Sequence, residues 1–317
     1  MKKTVSVAPM MDCTDKHEIF FLSLISRNIH LYTEMIVTNA IIRGDRSKLL
    51  SFKKISNPDE LAEACKIAED YGYSEINLNL GCPSKKVQKN KFGACLMQES
   101  HLVGKCIEAM TKATKLPVTI KTRIGYNEVE DFEFLKSFIQ TTKNAGSKKF
   151  IIHARKALLK KLSPKENLNI PPLKYEFVYK LKEYFKNDEI IINGGIKTTD
   201  DINKHLLKVD GAMIGRAIYH SPYFLTEIEK EIFKNKEVPT RSEVMESLIP
   251  YIQEQTSKGV QLNHIMRHTV GLFHGQNGSR IWKQYLSKNM CIRDADLQKV
   301  NHIMDQVKKT NPSSLER

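Results

Sequence analysis

The 317 residues are 41% hydrophobic and 27% charged, enough apolar material for a packed core in a chain that suits an α/β barrel with a small appendage. No apolar run is long enough to cross a bilayer, which excludes a membrane-spanning helix. A net charge of +14 fits either a lysine-rich soluble surface or a polyanionic partner, and charge does not choose among RNA, DNA and an anionic membrane.

The start, MKKTVSVAPMMDCTD, faintly mimics a signal peptide, but Pro9 and Asp12 break its apolar part, so it reads as a first strand. Residues 4–11, 30–35, 75–81, 117–123, 149–155, 189–195 and 210–216 read as strands, most of them near-continuous apolar runs, as expected of parallel strands covered on both faces. Helical periodicity lies between them, as in DELAEACKIAEDYG, where Leu61, Ala64, Cys65 and Ala68 share a face. Cys65 and Cys106 therefore read as core. Between Met35 and Glu75 the pattern offers helices and the basic stretch SFKKISNP, with no apolar strand. After residue 240 the pattern becomes all-helical to about 312, with Ser242 as candidate N-cap and Gly259 as stop for the first helix.

Strand–helix alternation gives a parallel α/β fold. The first strand is not followed by G-x-G-x-x-G, and polar residues end nearly every strand: Glu34, Cys82, Lys121, Arg123, His153, Arg155, Asn193 and Arg216. Both features favour a closed barrel, which gathers strand ends at one mouth, over a doubly wound sheet.

Six cysteines (Cys13, Cys65, Cys82, Cys95, Cys106 and Cys291) include no C-x-x-C pair, so reduced thiols in a cytosolic enzyme are expected. Cys82, between Gly81 and Pro83 at a strand end, is the one whose place asks for chemistry. Gly194, Gly195 and Gly215 sit in two strand-to-helix turns, either ordinary tight turns or the phosphate site usual after the last two barrel strands. Thr198 and Asp201 form a candidate capping box. Lys121 and His153 either point into the mouth or form a solvated basic rim. His264 and His268 have a metal-capable spacing but no third ligand nearby, and no metal is expected. Arg280, Trp282, Lys283, Tyr285 and Lys288 share one helix, a mixture that suits RNA or, alternatively, an aromatic core beneath a solvated face.

Together, APMMDCTD, LYTEMI, EINLNLGCPSKKVQKNKFGACLM, PVTIKTRIG, FIIHARKA, LSPKENLNIPPL, INGGIK, GAMIGRAIYHSP and RHTVGLFHGQNGSRIWKQYLS resemble the tRNA-dihydrouridine synthases, most closely the bacterial A type. The resemblance implies a TIM-type (β/α)8 barrel carrying FMN over residues 1–235 and a helical tRNA-binding domain over 240–312. It implies NADPH-driven reduction of the C5=C6 bond of a D-loop uridine (U20 or U20a) in a cytoplasmic, monomeric enzyme. Carried over by position, Cys82 is the proton donor. Pro9, Met10, Met11, Lys121, His153, Asn193, Gly194, Gly195, Gly215 and Arg216 meet FMN, and Asn79, Lys165, Arg280 and Lys283 meet tRNA. Three departures stand out. Asn57-Pro58 runs directly into a helix, so the third barrel strand is expected to be absent; Cys13 replaces a Trp, and Leu168 an Arg. A flavin-free tRNA-binding relative and a small-molecule flavin reductase are the competing readings.

Overall fold

A computed structural model describes residues 3–36, 41, 57–89, 91–289 and 304. All seven expected strands form, mostly shorter than their apolar runs: β1 Thr4–Val7, β2 His30–Leu31, β3 Ile76–Leu80, β4 Val118–Arg123, β5 Lys149–His153, β6 Glu189–Asn193 and β7 Gly211–Ile214. They are parallel, in the order β2-β1-β7-β6-β5-β4-β3. Neighbours in the sheet are neighbours in sequence, and the first strand lies beside the last. That is the one-way winding of a (β/α) barrel; a doubly wound sheet would reverse direction. Residues 37–40 and 42–56, where the third strand is expected to be missing, lie outside the described residues.

The chain divides into two compact units. The first comprises Met1–Thr4, Met35–Ile196 and Lys204–Met213. Its centre is fully apolar on both sheet faces: Ile120, Phe150, Ile151, Ile152, Ile190, Ile191 and Ile192 are all buried. The Pro58–Asp70 helix starts where the sequence says it should. Asn57 caps it by accepting from the Asp59 N–H at 3.0 Å, Pro58 occupies the first turn, and Asp59 and Glu60 complement the helix dipole. Its buried face of Leu61, Ala64 and Cys65 packs on the Ser100–Ala113 helix, which buries Cys106. Both thiols are core, as expected; burial raises their pKa values to about 12 and about 11.

The second unit comprises Val5–Glu34, Lys197–Asn203 and Ile214–Arg317. Ser6 and Val7 pair with His30 and Leu31, and the Lys16–Ile25 helix is capped by Asp15. The Arg241–Ser257 helix begins two residues earlier than expected. Its N-cap is Thr240, in a reciprocal capping box with Glu243, and not Ser242. Thr240 has the glutamate three residues on; Ser242 has Met245 there. Trp282 is buried, its indole N–H donating to the Thr269 carbonyl at 2.9 Å and its ring edge-on to Phe273, so this aromatic is core. Among the described residues no helix is long and apolar enough to cross a membrane.

Candidate active site

Cys82 follows β3, two residues beyond its last strand residue, Leu80. Three anchors fix its peptide groups. The Asn79 side-chain oxygen accepts from the Gly81 N–H at 3.0 Å and from the Cys82 N–H at 3.1 Å. The Gly81 carbonyl accepts from Arg123 Nε at 2.9 Å, and the Cys82 carbonyl from the Ala94 N–H at 2.9 Å. Gly93 makes the last approach possible: a Cβ there would sit 2.6 Å from the Cys82 carbonyl oxygen. Burial raises the pKa of the Cys82 thiol; a backbone hydrogen bond at Ser84 and the Arg123 and Lys121 cations oppose the rise.

Lys121 and Arg123 lie two apart on β4 and so share a sheet face, as the sequence suggested. In the parallel register Asn79 lies opposite Lys121, Arg123 opposite His153, and His153 opposite Asn193. Among the described residues Lys121 makes no ion pair and no hydrogen bond. Burial, then repulsion from Arg123, pulls its pKa down to about 8, against a smaller opposing effect of Cys82.

His153 is buried against the turn after β6, and a Cβ at Gly194 would collide with its ring at 2.6 Å. Gly194 and Gly195 have φ of +116° and +76°, a region other residues rarely adopt. Asn193 is held by its side-chain N–H bond to the Met213 carbonyl at 2.8 Å, and the Gly194 carbonyl accepts from the Tyr175 hydroxyl at 2.8 Å. Lys165 lies exposed in the loop after β5. That loop is built on Asn167, fully buried, whose amide donates to the carbonyls of Leu158, Leu162 and Ser163 and accepts from the Leu158 N–H. Asn79 is engaged at both ends of its amide, since its nitrogen also donates to Met35 Sδ at 3.2 Å.

In the second unit, Pro9, Met10 and Met11 form the turn after β1 and do not extend the strand. Thr14 ties both backbone groups of Met10, and Asp12 takes a φ of +60° with its N–H bonded to Glu34 at 2.8 Å. Met10 Sδ is 3.5 Å from where a Cβ on Gly215 would lie. Arg216 begins the short Arg216–His220 helix and is exposed. Thr198 and Asp201 form their expected reciprocal cap. His268 is an ion-pair centre: Nε2 lies 3.0 Å from Asp15 and Nδ1 3.0 Å from Glu18, the second an ion-pair contact without hydrogen-bond alignment. Arg267 adds a 2.6 Å contact to Asp15. Burial disfavours the imidazolium, but Asp15 and Glu18 outweigh it and raise the His268 pKa. Arg280 and Lys283 are exposed on the Ser279–Asn289 helix and line a groove with Gln276, Ser279, Gln284 and Ser287.

Sequence reasoning missed the role of Arg123. It marked the residue as a polar strand end, but the guanidinium also donates to the Lys156 and Asn167 carbonyls, both at 3.1 Å. Only the buried arginine in a strand, next to a strand-end cysteine loop, hinted at it.

A parallel α/β sheet wound in one direction, with a backbone-anchored cysteine and buried basic side chains at its strand ends, defines an enzyme of the barrel class. Residues 6–308 match the family model for dihydrouridine synthase, and the chain belongs to that flavin-dependent family. It is 46% identical over 302 residues to a tRNA-dihydrouridine(20/20a) synthase from Synechocystis, covering 92% of this chain and 90% of the relative. It is 45% identical to proteins of the same description from Shewanella oneidensis and Escherichia coli, covering 95% of this chain and 92% and 91% of theirs.

Proposed function

We propose that the protein reduces the C5=C6 bond of D-loop uridine in tRNA, at position 20 or 20a, with resident FMN and NADPH as reductant. The observation that carries the chemical reading is Cys82: a thiol at a strand end, with its N–H and both flanking carbonyls tied down, beside two cations. Two features suit a flat, anionic cofactor: the Lys121 ammonium, which has no counter-ion among the described residues, and the positive-φ glycine pair Gly194 and Gly195 at the end of a neighbouring strand. Lys121, His153, Asn193, Gly194, Gly195, Pro9, Met10, Met11, Gly215 and Arg216 are the residues proposed to hold FMN.

When bound, reduced flavin supplies hydride to C6 of the uracil ring. Cys82 gives its proton to C5: the S–H bond breaks, a C–H bond forms, and the electron pair stays on sulfur. A thiol whose pKa is raised by burial is protonated at neutral pH, as an acid must be. The target base must leave its stack to reach a strand-end site, at a cost of roughly a few kcal/mol. Arg280, Lys283 and Lys165, all exposed, supply phosphate contacts that offset it, and Asn79, its oxygen fixed by Gly81 and Cys82, offers the base the amide N–H not used toward Met35.

Protein reconstituted with FMN and given NADPH converts a uridine of unmodified tRNA transcript to dihydrouridine, read by mass spectrometry of nuclease fragments. Protein that stays colourless after reconstitution yet binds tRNA would instead establish the flavin-free reading.

A further inference from the structure

Arg123 is 2% exposed, and among the described residues its guanidinium has no carboxylate partner. All its hydrogen bonds go to backbone carbonyls, from three different segments: Gly81 beside the thiol, Lys156 after β5, and Asn167 in the loop that carries Lys165. Burying a charge without a counter-charge is costly, and three carbonyls could be met by neutral donors. The fork is therefore a bracket in geometry and a surplus in charge. Glu130, beside Lys156, is already paired with the Lys156 and Lys174 ammoniums, whereas the Cys82 thiol can become an anion and its interaction with Arg123 is felt by both residues.

We propose that Arg123 is the positioning residue of Cys82, fixing the thiol through the Gly81 carbonyl and balancing the thiolate left when the proton is delivered. This deepens the reading of Cys82 as the acid and rests on it. In proton transfer the sulfur goes from neutral to negative while Arg123 stays cationic throughout. An unpaired guanidinium thus becomes half of an ion pair at the moment of reaction, which favours the transition state over the ground state. The contacts to Lys156 and Asn167 tie the same side chain to the Lys165 loop, so the thiol and the loop share one support.

The test uses full-length protein carrying Arg123→Gln, which keeps a donor and loses the charge, and Arg123→Lys, which keeps the charge and loses the fork. The first readout is the pH dependence of iodoacetamide labelling of Cys82, followed by peptide mass spectrometry. Arg123→Gln is expected to move the midpoint upward by about one unit or more, and Arg123→Lys to leave it near wild type. The second readout is turnover on tRNA transcript. Arg123→Lys is expected to lower kcat about tenfold with KM within about twofold, because the thiol is less well held. A Gln variant that labels like wild type, or a Lys variant with wild-type kcat, overturns the proposal. If the Gln variant fails to fold, the Lys kcat decides. Unchanged turnover in Cys82→Ala would overturn the acid reading alone, since labelling still reports the effect of Arg123 on the thiol.

Discussion

The two ends of the sheet in the first unit treat charge in opposite ways. At the strand starts a polar chain runs from strand to strand. Asn77 bonds Thr119 at 2.7 Å, and Thr119 bonds Glu75 at 2.6 Å. Glu75 pairs with Lys149 at 2.8 Å, Lys149 lies 3.9 Å from Glu189, and Glu189 accepts from Thr4 at 2.9 Å. Lys182 and Asp210 form a further pair nearby in sequence at 2.7 Å. At the strand ends Lys121 and Arg123 sit close together without a carboxylate among the described residues. The starts are neutralised by the protein itself; at the ends Glu130 pairs with Lys156 and Lys174, and Lys121 and Arg123 are left without a carboxylate among the described residues. An enzyme can hold such an uncompensated cluster because the stable end supports the reactive one.

Replacing groups at each end should separate stability from chemistry. Cys82→Ala is expected to keep flavin colour, tRNA binding and the thermal midpoint, and to lower single-turnover reduction by about 10²–10⁴-fold. Turnover near wild type would break the contrast outright. Lys149→Ala should do the reverse. Glu75 is left buried without its cation, at about 3–5 kcal/mol of unfolding free energy in urea titrations, while kcat per folded molecule stays unchanged. A large fall in kcat there would mean that the two ends are coupled.

A subtler pair of expectations concerns Lys121. Its pKa near 8 means that the ammonium is present below that pH and lost above it. FMN association with apo-protein, followed by flavin fluorescence quenching, should weaken as pH rises through about 8, and Lys121→Arg should move the loss to higher pH. The sign for folding is opposite. The unfolded chain holds this proton more tightly, so the apo-protein gains stability as pH climbs past 8, and Lys121→Met should stabilise it at neutral pH. The smallest effect is expected outside this unit. Arg280→Ala and Lys283→Ala should each flatten the salt dependence of tRNA binding by about one in the log–log slope, with kcat retained.

Which parts of this were legible in the sequence follows from how local the cause is. The seven strands declare themselves because buried parallel strands need continuous apolar runs, as EIIIN does. The Thr198–Asp201 box depends on residues three apart and is equally visible. The strand ends were overdrawn at β1 and β2, because Pro9-Met10-Met11 and Tyr32–Met35 are apolar enough to look like strand but continue in other conformations. Trp282 was ambiguous for a different reason: composition puts an aromatic among cations, and only the Thr269 carbonyl shows which way it turns. The triple bond set of Arg123 joins positions 42, 33 and 44 residues away and leaves no periodic trace. Cys82 was singled out by its motif, while the bonds that anchor its backbone had to be seen in space.

Trp282 is the single tryptophan in the chain. It sits on the inner face of a helix whose outer face bears Arg280 and Lys283. Excitation at the red edge therefore interrogates one helix of the tail and nothing else, so denaturation of that segment can be watched without a label.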